Sequence, residues 1–292
     1  MNDSKKSLLF LHISVMLFGL SGVIGQFVEA PSVVVAGGRV VCSSLLLLVL
    51  CLVSRTPLAL RSARDYGLVL FTGVVMAIHW TTFFQAIQVS SVAIGPITFS
   101  TFPLFLTFLE PLLFHEKIRG RNILGAAVLL VGVLITIPSF SMENQVTVGV
   151  LWGMLSSFCY AIMTLSNRYL SSAYPGKTLC LYEQGTAAVV LLPALLLVEV
   201  NWTVQTAAGI AVIGFVCTAF AYSLCVAAQK NVKAQTAGMI SGMETVYGIV
   251  YAWIFLREVP GIRELIGGAI ILGVALLFSV QKSQAAPSPA QK

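Results

Sequence analysis

Two stretches decide the fold: LFHEKIRGRNILGAAVLLVGV at residues 113–133 and FLREVPGIRELIGGAIILGVA at residues 255–275. In each, an apolar run ends on a glutamate and a short charged turn follows. A glycine then stands nine residues beyond the glutamate, inside the next apolar run: Glu116 to Gly125, and Glu258 to Gly267. The chain therefore carries one hairpin twice, once in each half.

Composition says which solvent these runs face. Hydrophobic residues make up 58% of the 292 residues and charged residues only 10%, with a mean hydropathy of +0.93. A soluble domain carries about 25% charged residues, so this chain has too little charge to cover a globular surface. Its charges gather in short clusters separated by apolar runs of roughly 20 residues, the length that crosses about 30 Å of hydrocarbon as a helix. Alternating segments of about 10 residues, the mark of a membrane β-barrel, are missing. The reading is an all-α membrane protein with ten transmembrane helices, at residues 8–28, 33–53, 66–86, 91–114, 121–139, 147–168, 179–199, 206–228, 234–256 and 262–281.

The net charge of +6 reflects topology rather than nucleic-acid binding. With the N-terminus in the cytoplasm, Lys5, Lys6, Arg55, Arg61, Arg64, Lys117, Arg119, Arg121, Arg168, Lys177, Lys230, Lys233, Lys282 and Lys292 all lie inside, as the positive-inside rule asks. Only Arg257 and Arg263 fall in an outside loop, and Arg39 lies within a span. Both termini are thus expected in the cytoplasm, in the cell (inner) membrane. MNDSKKS leads straight into the first span without a cleavage-site pattern, and SQAAPSPAQK reads as a disordered tail at 283–292. All six cysteines sit in apolar runs with no CxxC pair, as small buried hydrophobes. No cofactor or metal is expected.

Five helices per half is an odd number, so the halves must insert with opposite orientation. The Glu116 turn is then inside and the Glu258 turn outside. Inverted repeats of this type are a signature of secondary transporters, with the substrate near the bilayer midplane. The expected division is a first repeat at 1–140 and a second at 145–282.

The paired hairpins, Pro103 thirteen residues before Glu116, and AIQVSSVAIGPITFSTFPLF at 86–105 together resemble the drug/metabolite transporter superfamily in its ten-helix form with two EamA-like repeats. The resemblance spans residues 8–282. It implies carriage of amino acids, nucleotide-sugar-like metabolites or toxic organic compounds, often outward and often coupled to protons. Thr245 stands where the second repeat would match Pro103, so a proline-based kink is expected in one half only.

Glu244 is the sharpest chemical signal. It lies near the centre of the ninth span, where a charge costs about 2.5–3.5 kcal/mol even on the lenient insertion scale. It must line a cavity, meet a partner or carry a proton. Ser241, Glu244, Tyr247, Gly248 and Tyr251 follow one another at steps of three and four residues and so are expected to share a face. His79 and Trp80 in HWTTFF add a group that titrates near neutral pH and a stacking ring. Trp152, Ser156, Tyr160 and Asn167 form a stripe on the sixth span, and Thr218 and Tyr222 one on the eighth. Gln26 belongs to a spacing of seven with His12 and Gly19. By the resemblance such faces surround the cavity; the alternative is ordinary interhelical hydrogen bonding.

Glu244, Tyr247, Tyr251, His79, Trp80, Trp152, Ser156, Tyr160, Thr218, Tyr222 and Gln26 are thus the candidate substrate contacts, with Glu244 and His79 as candidate proton carriers. Arg39 and Glu183 are expected near the two ends as topology or gate residues, with Arg39 snorkelling outward. Glu110 is expected at the inner mouth beside a Lys or Arg, and Pro103 as a hinge. No Walker loop and no catalytic set is present, so the chain reads as a transporter and not an enzyme. It would export a small amino-acid-like metabolite, coupled to protons, as a monomer or homodimer in the bilayer. The rival reading is efflux of lipophilic cations.

Overall fold

A bilayer offers the peptide backbone no hydrogen-bond partners, so apolar runs of this length fold as helices. The computed structural model describes residues 3–115, 117–118, 120–229 and 240–285; Glu116 and the start of the predicted ninth span lie outside them. Helix is the only regular structure among the described residues. In chain order the helices are α1 (Asp3–Phe27), α2 (Ser32–Val53), α3 (Ala63–Val89), α4 (Ile94–Phe99), α5 (Phe102–Phe114), α6 (Gly120–Thr136), α7 (Gln145–Leu170) and α8 (Gly176–Leu197). Then come α9 (Val204–Ala211), a π-helical segment (Val212–Phe220), α10 (Ala221–Gln229), α11 (Met243–Tyr251) with a second π segment (Ala252–Leu256), and α12 (Ile262–Ala285). Among the described residues seven runs are long and apolar enough to cross a membrane, with α4 and α5 counted as one and α9 to α10 as one. Gly120–Thr136 and Met243–Leu256 are shorter apolar helices.

Loop contacts sort the helix ends into two groups. At one end the α2–α3 and α7–α8 connections are tied together. Tyr174 Oη donates to Asp65 Oδ2 at 2.6 Å and accepts from Arg61 N at 2.8 Å, and Thr178 Oγ1 donates to Pro57 O at 2.8 Å. The end of α5 joins them through the Arg168–Glu110 ion pair, with Arg168 also 4.3 Å over the Phe114 ring. At the other end Gln88 Nε2 donates to Ala30 O, Ala93 N to Glu258 Oε1, and Arg263 Nη1 to the Ile137 and Pro138 carbonyls. The α5–α6 and α11–α12 turns therefore sit at opposite ends of the bundle.

The helix pairing has a two-fold pattern. With α4–α5, α9–α10 and α11 plus its π segment each taken as one run, the first packs on the eighth and the third on the sixth; the first meets the ninth and the fourth meets the sixth. The second meets the eighth and the third meets the seventh, while the second pairs with the seventh and the fifth with the tenth. Exchanging the first five runs for the last five leaves these eight pairs unchanged, whereas the second–third, third–fourth, fourth–fifth, first–third and fourth–tenth pairs have no counterpart of similar size among the described residues. The backbone shows the same relation: α5 and the second π segment both end on left-handed residues, His115 (φ 52°) and Arg257 (φ 56°). These stand 142 residues apart (257 − 115), the spacing that also separates Glu258 from Glu116 and Gly267 from Gly125.

Pro103 lies in the first turn of α5, where its missing N–H has no intrahelical bond to lose. The interruption falls just before it, at Ser100–Thr101, where Ser100 Oγ donates to Pro96 O at 2.9 Å and Thr101 Oγ1 to Thr98 O at 2.6 Å. The second half breaks as well, by a turn at Gly242, although it has no proline there.

α6 and α12 meet in a close contact that brings backbone against backbone. A Cβ at Gly267 would lie 2.5 Å from Gly132 O and would collide with the Thr136 side chain; one at Gly132 would lie 2.8 Å from Ile271. Backbone on one side of such a contact cannot yield as a flexible side chain can. Gly267→Val is expected to destabilise the protein by about 1–3 kcal/mol through overpacking, read as a lower apparent melting temperature in detergent. Gly185→Ala, with nothing within 4 Å of the added carbon, should leave it unchanged.

Candidate functional site

A cavity of about 610 Å³ occupies the middle of the bundle. Its walls come from α2, α3, α7, α8, the first π segment, α10, α11 and α12, with Phe18 of α1 and the α4–α5 break completing them. The lining is one-sided. On α7 it runs from Tyr160 to Ser171 past the helix end, and on α8 from Gly176 to Gln184. On α3 it stops at Phe83, short of the end where the α3–α4 loop lies. The cavity thus reaches the end that carries the α7–α8 loop and stops inside the bundle towards the other.

Buried charge is concentrated here. Arg39, 2% exposed, lies with its guanidinium carbon 3.4 Å from the Trp80 ring centroid, a cation–π contact worth about 2 kcal/mol when desolvated. Its Nε and Nη1 have no hydrogen-bond partner, nor does Trp80 Nε1. Glu244, on α11, faces Arg39 electrostatically. Glu183, 3% exposed on α8, leaves Oε1 without a partner beside the Asn167 side chain, whose Oδ1 is likewise unpartnered.

His79 is fixed rather than free. Its Nδ1 lies 3.0 Å from Ser156 O and 2.9 Å from Ser156 Oγ. A carbonyl oxygen can only accept, so Nδ1 carries the proton in the neutral ring and Nε2 is the acceptor. The ring packs among Trp80, Phe83, Phe99 and Tyr160 at centroid distances of 4.5–6.3 Å. The first π segment widens the helix locally, and Thr218 Oγ1 donates five residues back to Ile213 O at 2.7 Å. That widening places Thr218 and, one turn on, Tyr222 on the cavity wall, in keeping with the use of π-bulges at functional sites.

A profile of the EamA-like transporter family matches residues 5–137 and again residues 147–280. The chain belongs to the EamA-like transporter family. It is also 23% identical over 284 residues to YxxF, an uncharacterized transporter of Bacillus subtilis strain 168, covering 94% of this chain and 89% of that one. It is 24% identical over 211 residues to an uncharacterized transporter of Archaeoglobus fulgidus, covering 72% and 74% of the two chains. A crystal structure at 15% identity shares the fold over 97% of this chain and 99% of its own, with a TM-score of 0.64.

Within this EamA-like chain the cavity brings together Glu244, His79, Trp80, Tyr160, Thr218 and Tyr222. It also takes in Arg39 and Glu183. Arg39 does not snorkel to a membrane face, because the Trp80 ring covers its guanidinium inside the bundle. Five of the expected contacts do not line the cavity. Trp152 is 37% exposed on the outer surface: eight residues at 100° each turn it about 80° away from Tyr160. Ser156 is spent on His79, and Gln26 Nε2 on Ile87 O. Tyr247 faces α1 and bonds His12 Nδ1 at 3.1 Å, while Tyr251 packs with Tyr247 and Phe255 beyond the cavity's end. Pro103 does not line it either. Glu110 pairs with Arg168 near the mouth. Asn167, seen in the sequence only as one member of a stripe, and the aromatic Phe83, Phe99 and Phe102 are cavity residues that the polar spacings do not single out.

Glu244 is held in place by a tight crossing of α1 and α11. A Cβ at Gly19 would lie 2.8 Å from Glu244 O and 2.9 Å from Gly248 N. The His12–Tyr247 bond secures the same crossing. A double-mutant cycle of His12→Phe and Tyr247→Phe, read by thermal or denaturant unfolding, should give a coupling of about 0.5–1.5 kcal/mol. Strict additivity would show that the bond contributes nothing.

Proposed function

We propose that this protein is a secondary active transporter that exports a small, amino-acid-like metabolite by alternating access, with proton antiport as the driving exchange. The observation that carries this reading is the one-sided central cavity with ionisable groups on its walls. A cavity that opens at one end and is closed at the other is one of the two states an alternating-access carrier needs. In this reading the protein lies in the cell (inner) membrane with ten spans and both termini in the cytoplasm. The cavity then faces the cytoplasm, the side from which an exporter loads. The halves, residues 1–140 and 145–282, are two EamA-like repeats of opposite orientation. The double family match, the two-fold helix pairing and the Glu110 and Glu258 contacts at opposite ends all support that division.

Glu244 is the proposed proton carrier. It lines the cavity at membrane depth and faces Arg39 without closing an ion pair among the described residues. It can take up and release a proton without dismantling a buried salt bridge. His79, with Nδ1 committed to Ser156, is left with Nε2 as its only proton acceptor. The ring of aromatics around His79 also favours the second reading, efflux of lipophilic cations, since π faces attract any cation.

Proteoliposomes with an acid interior test the coupling. In an antiporter protons leaving the vesicle draw substrate in, so wild type should accumulate a radiolabelled amino-acid mixture. Glu244→Gln should fall to the level of protein-free liposomes under the gradient yet still exchange solute without one. Normal accumulation by the variant, with an unchanged pH profile, would remove Glu244 from the coupling.

A further inference from the structure

The cavity presents two sets of unpartnered polar atoms of opposite kind, set apart from each other. Arg39 Nε, Arg39 Nη1 and Trp80 Nε1 are donors without acceptors. Glu183 Oε1 and Asn167 Oδ1 are acceptors without donors. All five are buried side-chain atoms of residues that line the cavity. Polar atoms left without a protein partner on a cavity wall are open to a ligand that brings the complementary group.

Two helix registers give the offset along the bundle between the backbone levels that carry the two sets. α2 and α8 run antiparallel: Gly37 meets Leu195, Ser43 Oγ donates to Gln184 Oε1 at 2.8 Å, and Cys51 Sγ meets Lys177 O. Arg39 is four residues from Ser43, which at 1.5 Å per residue puts it about 6 Å along the axis from the level of Gln184. On α3, Gly73 packs against Glu183 O and Trp80 lies seven residues further on, about 10 Å away. Charge gives the polarity. Among the described residues Arg39 is the cation, held on the Trp80 ring, and Glu183 forms no ion pair, so the carboxyl end of the cavity is the one that can accept an ammonium group.

We propose that Glu183 and Asn167 form a subsite for an N–H-bearing ammonium group, and that Arg39 and Trp80 hold the substrate's carboxylate about 6–10 Å away. The substrate is then a zwitterion whose charges are separated by about five or more bonds of roughly 1.5 Å, not an α-amino acid that meets the site through its adjacent charges alone. The two acceptors also set a chemical filter. A primary ammonium donates to both Glu183 Oε1 and Asn167 Oδ1, whereas a quaternary ammonium has no N–H and leaves both unsatisfied. This inference rests on the transporter reading and moves Glu183 from a gate to a binding residue.

Binding to the purified protein tests it, read by tryptophan fluorescence with 6-aminohexanoate, its N-trimethyl analogue, L-alanine and hexanoate as probes. Wild type should bind 6-aminohexanoate about tenfold or more tighter than the other three, the worth of one charge-assisted hydrogen bond. Glu183→Gln, which keeps the side chain's shape, should reduce 6-aminohexanoate to the affinity of hexanoate and leave hexanoate unchanged; Asn167→Leu should act in the same direction. The comparison of probes on wild type needs no variant. Equal affinity for the trimethyl analogue, no saturable binding of 6-aminohexanoate by wild type, or full affinity in Glu183→Gln would each overturn the subsite. Flux in proteoliposomes is a separate readout. Selective binding without flux above protein-free liposomes supports the subsite and overturns the transporter reading, and flux without the selectivity does the reverse.

Discussion

The guanidinium of Arg39, lying flat on Trp80 and facing Glu244 deep inside an apolar bundle, is the constraint on which the rest depends. Charge at membrane depth persists only where it lines a cavity or meets a partner. Trp80 supplies one face of that partnership and Glu244 the opposite charge, and neither gives Arg39 the acceptors its Nε and Nη1 need. The cavity follows from this. Helices that packed as closely here as α6 and α12 do at Gly132 and Gly267 would trap these groups without partners. Instead the walls bow away from one another, through the Ser100–Thr101 break, the turn at Gly242 and the π segment at Val212–Phe220.

Closure at the opposite end is the complement. There small residues bring helices together: Gly22 and Gly25 of α1 against Ile87 and Phe84, Gly149 and Gly153 of α7 against Ser90 and Thr98. Gln26, Gln88 and Glu258 spend their side chains on backbone groups of neighbouring loops. That end of the bundle is thus closed by tight contacts and satisfied hydrogen bonds, while the cavity inside the bundle keeps unsatisfied ones. In the account proposed here, substrate and proton supply the missing partners in turn.

Much of the fold was legible because bilayer physics leaves few choices. Run length set the helices, and the two Glu-ended hairpins pointed to the family. Glu244 stood out because a carboxylate has no bland place at that depth. The site was read less well, for geometric reasons. A stripe written in steps of three, four and seven residues drifts around a helix, so Trp152 turned outward while Tyr160 turned in. Tyr247 and Ser156 have polar atoms that neighbouring helices consume, which one span's spacing cannot reveal. Position along the helix puts Arg39 and Glu183 near the ends, whereas contact with the Trp80 ring and the Asn167 side chain puts them in the interior. The break at Ser100–Thr101 has no proline signal of its own, because the backbone there is re-bonded by the Ser100 and Thr101 hydroxyls.

The central claim is that these charges line a water-filled cavity open at one end. Maleimide labelling of Ser241→Cys, in a background with the six native cysteines replaced, tests it most directly, since Ser241 is an exposed residue of the cavity wall. A membrane-impermeant maleimide added to inside-out vesicles should modify it far faster than Val250→Cys, whose side chain is exposed on the outer surface of α11. The same reagent on right-side-out vesicles should be slow. Labelling no faster than at Val250→Cys, or labelling from the outer face alone, would contradict the account.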